Sequence, residues 1–96
     1  MEVLIAYDVS TLTKEGRARL RRVAKLCEGH GQRVQFSLFE CSLNEAQMEV
    51  LRARLLKAIS QDEDNLRIYT LRGSRKDIVQ SWGRDAYINF HAPLIA

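Results

Sequence analysis

The stretch RVQFSLFECSL, Arg33–Leu43, decides the fold. Val34, Phe36 and Leu38 alternate with Gln35 and Ser37, the period of a strand buried on one side. The alternation breaks at Phe39–Glu40, which predicts a bulge or a tight hairpin inside the segment, and therefore two strands rather than one. On the N-terminal side, Leu20, Val23, Ala24 and Cys27 recur at helical spacing, with most of the arginines expected to face outward. That helix starts at Thr13 as a cap and runs to about Glu28. Gly29 and Gly31 are expected to stop it through the left-handed conformation that glycine accepts. Before it stands VLIAY, Val3–Tyr7, an unbroken apolar run that predicts a central strand covered on both faces.

On the C-terminal side, Asn44 with Gln47 forms a capping-box start. Met48, Leu51, Leu55, Ala58 and Ile59 then mark the apolar stripe of a second helix. Asp62–Asn65 reads as a turn and Leu66–Leu71 as a last strand, with Leu66, Ile68 and Thr70 on one face. The order strand, helix, strand, strand, helix, strand is the split βαβ arrangement of the ferredoxin-like fold, an α+β class. Two helices cover one face of such a sheet, and the other face needs a second copy of the chain. Residues 72–96 carry no helical pattern. Ala86–Phe90 and Leu94–Ile95 are apolar enough for short extra strands that pack on the dimer partner. Residues 1–96 thus read as a single domain, with a 1–71 core and a 72–96 tail.

With 96 residues, the chain has room for one domain. Its 46% hydrophobic and 28% charged content is that of a globular protein, and no apolar run is long enough to span a membrane. The first ten residues lack the features of a secretory signal, so a cytoplasmic location with reduced Cys27 and Cys41 is expected. The net charge of +3 is unevenly spread: Lys14, Arg17, Arg19, Arg21, Arg22, Lys25 and Arg33 face only Glu15 and Glu28 in their segment. Arg72, Arg75 and Lys76 form a second basic group, and Asp62, Glu63 and Asp64 an acidic one. A phosphate-binding face and a plain solvated helix face both fit this pattern.

Asp8 ends the first strand directly after the apolar run, a position from which a carboxylate can hold a metal ion at the rim of a sheet. A turn or cap role fits the same residue. One aspartate is a poor magnesium site, but two copies facing each other across a two-fold axis supply two carboxylates. His30 and His91 have no partners at zinc-ligand spacing. No phosphate-binding glycine loop or nucleophile elbow is present. Trp82, Tyr87 and Phe90 are as consistent with packing as with base stacking.

The opening Tyr7-Asp8-Val9-Ser10, the stretch Arg33–Glu40 and the strand Leu66-Arg67-Ile68-Tyr69 together resemble the CRISPR-associated protein two family, the small partner of the CRISPR integrase. The ending Ala92-Pro93-Leu94-Ile95 is similar to the subtype of the compact I-C systems. The resemblance implies a ferredoxin-like homodimer with C-terminal strands packed across it, and a magnesium ion (or another divalent metal) held by Asp8 and its twin. It also implies nucleic-acid contacts from Arg19, Arg21 and Arg33, with Arg17 one helical step from Arg19, and an aromatic role at Phe39, for which core packing is the plainer reading.

Function then follows one of two lines. As an enzyme, the chain is a metal-dependent endonuclease acting on duplex DNA or single-stranded RNA, with Asp8 as its catalytic residue and no histidine or lysine evident as a general base. As a scaffold, it bridges integrase subunits and holds DNA by its phosphates. A related mRNA-cleaving toxin is a more distant alternative.

Overall fold

The computed structural model describes residues 1–83, and the expected strands at Ala86–Phe90 and Leu94–Ile95 lie outside them. The elements are β1 (Glu2–Asp8), α1 (Lys14–Glu28), β2 (Gly31–Gln35), β3 (Leu38–Ser42), α2 (Glu45–Ala58), β4 (Asn65–Leu71) and a single turn, α3 (Arg75–Ile78). The strands form one sheet in the order β2-β3-β1-β4, every neighbour antiparallel. That is the ferredoxin-like order, and it places β1 inside the sheet as its apolar run requires.

Successive residues of a strand point to opposite faces. Val3, Ile5 and Tyr7 of β1 and Phe39 and Cys41 of β3 are buried against Val23 and Cys27 of α1 and Met48, Leu51 and Leu55 of α2. Glu2, Leu4, Ala6 and Asp8 take the opposite face, away from α1 and α2. Burial pushes the Cys27 thiol up to about 12 and the Cys41 thiol up to about 11. Both therefore behave as small apolar groups at neutral pH.

Local chemistry sets the helix ends. Thr13 caps α1 by accepting from the Gly16 amide at 3.0 Å. Asn44 and Gln47 exchange side-chain and backbone bonds at 2.8 and 2.9 Å in a complete capping box.

Some expectations need correction. Gly29 closes α1 in a right-handed conformation, φ −69°. Gly31 is needed for space rather than φ, because a Cβ there would run into the Cys41 side chain and the Glu40 carbonyl. The hairpin turn falls at Phe36–Ser37, ahead of the predicted break at Phe39–Glu40, and the ladder is bulged between Arg33 and Gln35. Val34 and Phe36 accordingly stand exposed. The region after Leu71 was expected to lack helix, yet Ser74 starts α3, bonding Asp77 through both hydroxyl and carbonyl.

Candidate functional site

Asp8 is the last residue of β1, exposed, and paired in register with Asn65 of β4. Its neighbours on both sides are buried: Tyr7 is 4% exposed and Val9 is 7% exposed. Because Tyr7 and Val9 both anchor into the core, the intervening side chain is directed away from it. Tyr7 is fixed further by its hydroxyl, which donates to the Phe36 carbonyl at 3.2 Å, and by its amide, which donates to the Ser37 carbonyl at 3.1 Å. Its ring stacks on Phe39 with centroids 6.2 Å apart. Burial raises the pKa of the Tyr7 phenol, keeping it a neutral donor.

The loop that follows Asp8 is held by charge from inside the protein. The Asp64 carboxylate is fully enclosed, with 0% of its side chain exposed. It accepts from the Ser10 amide at 3.0 Å, the Ser60 amide at 2.8 Å, and Arg19 through Nε at 2.9 Å and Nη2 at 3.3 Å. The Arg19 bond lowers the Asp64 pKa to about 2, against the opposing effect of burial and with help from the two amides. Arg19 Nη2 also donates to Glu63 at 2.9 Å. Arg19 was expected among outward-facing arginines, but only 13% of its side chain is exposed, because buried Asp64 requires a cation. Arg17, one helical step away, donates to the Thr11 carbonyl of the same loop at 3.1 Å. Gly16 lets Ser10 lie against α1, since a Cβ there would collide with the Ser10 carbonyl.

Arg33, on edge strand β2, lies 5.2 Å from the Phe39 ring centroid and donates to Glu28 at 2.9 Å. That pair is exposed, so it adds little to stability. Phe39 is 0% exposed, so it packs in the core and serves as a platform for Arg33. Arg21 is exposed and has no hydrogen-bond or ion-pair partner among the described residues. No such bond joins Asp8 to Arg19, Arg21 or Arg33.

The helix layer carries a further feature. Arg22 and Lys25 of α1 and Arg54 and Lys57 of α2 line a groove of about 380 Å³ floored by Leu26 and Ala58. Among the described residues, none of these cations is paired with a carboxylate. Sequence reasoning found the α1 half from its arginine density. It missed Arg54 and Lys57, which join the patch only once the helices pack side by side. His30 has the loop role expected of it, its ring bonded to the Leu26 carbonyl at 3.0 Å, and His91 lies outside the described residues. Among the described residues, no three His, Cys, Asp or Glu side chains are grouped to hold a metal ion, and no helix is long and apolar enough to cross a membrane.

A ferredoxin-like sheet with a carboxylate at the end of a central strand and a basic groove between its two long helices defines a small α+β protein. The chain belongs to the CRISPR-associated protein Cas2 family, whose sequence profile matches residues 1–78. It is 54% identical over 95 residues, 99% of each chain, to the CRISPR-associated endoribonuclease Cas2 1 of Moorella thermoacetica. It is 44% identical, also over 99% of each chain, to the CRISPR-associated endonuclease Cas2 of Halalkalibacterium halodurans. The crystal structure of Streptococcus pyogenes Cas2 superposes with a TM-score of 0.76 at 46% identity, covering 86% of this chain and 100% of that one.

Proposed function

We propose that this chain is a homodimeric, metal-dependent phosphodiesterase of CRISPR spacer acquisition that binds nucleic acid and partners the integrase. The observation that carries the reading is Asp8, exposed between two buried neighbours at the end of a central strand, in a chain whose relatives bear endonuclease and endoribonuclease names. Its carboxylate oxygens are the hard donors that magnesium selects. One chain contributes one such carboxylate, which makes half a site. The sheet face away from α1 and α2, with half-buried Leu4, Ala6 and Leu38, supports pairing with a second copy whose Asp8 completes it. When bound, magnesium supplies a Lewis acid for the phosphate and a water of lowered pKa.

The chain's own residues do the rest. Tyr7 and Val9 fix the backbone at Asp8, so its carboxylate is aimed before substrate arrives. Arg21 and Arg33 bind backbone phosphates without reading bases. The unpaired cations of the α1–α2 groove extend this phosphate-binding surface, and they favour a scaffold role beside the catalytic one.

Cleavage of single-stranded RNA and duplex DNA, with magnesium or with a chelator, tests the reading on wild type and Asp8→Asn. Activity should need the divalent ion and vanish in Asp8→Asn. The melting temperature, the dimer by analytical ultracentrifugation, and nucleic-acid binding should all persist. Cleavage by Asp8→Asn at the wild-type rate would remove the catalytic assignment and leave the scaffold alone.

A further inference from the structure

We propose that Arg19 acts on the site through Asp64, the pair forming a brace that clamps the Ser10 amide and so fixes the direction of Asp8. This rests on the phosphodiesterase reading and adds its positioning residues. An ionised carboxylate offers about four acceptor sites. In Asp64 these are filled by the Ser10 amide, the Ser60 amide, Arg19 Nε and Arg19 Nη2. With the pair intact the carboxylate has no exposed surface, so each of these sites depends on a protein donor. Arg19 is committed in turn: its Nε and Nη2 are spent on Asp64 and Glu63, and little of its side chain reaches solvent. A phosphate would have to compete with two carboxylates for this guanidinium.

The consequence reaches Asp8 along a short chain. On the N-terminal side, Tyr7 is pinned by its bonds to the Phe36 and Ser37 carbonyls. On the C-terminal side, the first backbone group with a long-range partner is the Ser10 amide, and that partner is Asp64. Asp8 closes the β1–β4 ladder opposite Asn65, the residue next to Asp64, with only Val9 before Ser10. If Arg19 is removed, an enclosed carboxylate is left without its cation. The carboxylate then protonates or turns outward, the Ser10 amide loses its acceptor, and the strand end loosens on one side. Errors of about 1 Å in a catalytic group cost about 100-fold in rate, so a loosened brace lowers turnover more than binding.

A phosphate contact and a brace predict different measurements. The full-length protein is compared as wild type, Arg19→Gln, Asp64→Asn and the double variant, with Arg19→Lys as a milder variant should Arg19→Gln fail to fold. Three readouts are taken: single-turnover cleavage, the salt dependence of binding to a single-stranded RNA in chelator, and exchange of the Ser10 amide by NMR. The brace predicts a fall in the cleavage rate of about 10- to 100-fold in each single variant. It also predicts an unchanged salt slope, faster Ser10 exchange, and a double variant no worse than the worse single one. The proposal is overturned if Arg19→Gln lowers the salt slope by about one ion per subunit while Ser10 exchange stays as in wild type. Multiplying losses in the double variant overturn it as well. If wild type does not cleave, or Asp8→Asn cleaves normally, the enzyme reading fails, and the brace stands or falls on Ser10 exchange and the salt slope.

Discussion

Asp64 keeps its charge inside the protein because Arg19 and two backbone amides compensate it, and those same donors make it sensitive to acid. Its folded pKa, about 2, lies below the ordinary carboxylate value of 3.8, so the folded state favours the ionised form. The stabilisation is therefore complete above pH ~4 and is lost as pH falls through about 2. Urea midpoints of the wild type should drop between pH 4 and pH 2, whereas Asp64→Asn should start lower and lose less over the same window. Parallel curves would show that another group sets the acid response. The place of Asp8 at the end of a strand was legible in the sequence because an apolar run ended on it. Asp64 was not, since Asp62, Glu63 and Asp64 look alike in a turn, and what singles out Asp64 is an arginine 45 positions away.

Among the elements, the parts governed by local chemistry were the readable ones. The capping box at Asn44 needs only two side chains three residues apart, and it forms as the spacing requires. Replacing Asn44 by Ala leaves the Gln47 amide without its acceptor and should cost about 1 kcal/mol, seen as a lower urea midpoint at unchanged slope. No change in midpoint would mean that α2 is held by its buried stripe alone. The hairpin was read less well. Val34 and Phe36 look like the inward face of a strand, but the bulge between Arg33 and Gln35 and the turn at Phe36–Ser37 leave both exposed. Alternation shows which residues share a face and leaves open which face the core takes. The tight approach at Gly31 was equally hidden, since it depends on Cys41 across the ladder rather than on any turn signal.

For the molecule as a whole, the question is where its unpaired positive charge goes. The acids gathered at Glu63 and Asp64 are spent on Arg19, and Glu28 is spent on Arg33. Arg21 and the groove cations Arg22, Lys25, Arg54 and Lys57 are among the cations left without carboxylate partners among the described residues. Like charges held around one groove repel each other, and a polyanion relieves the repulsion while releasing its own counterions. Binding to duplex DNA of mixed sequence should therefore weaken steeply with salt, at a slope of about −0.9 per phosphate neutralised. Arg54→Ala and Lys57→Ala should each shallow that slope by about one ion per subunit, as should Arg21→Ala. They should also weaken binding evenly across unrelated sequences, because contacts to phosphates carry no base information. The two α2 variants are the decisive ones: they lie on a different helix from the arginine cluster evident in the sequence and sit outside the machinery around Asp8. If both leave the slope at the wild-type value while Arg21→Ala reduces it, nucleic acid follows α1 and the sheet edge only, and the groove between the helices is a solvated surface.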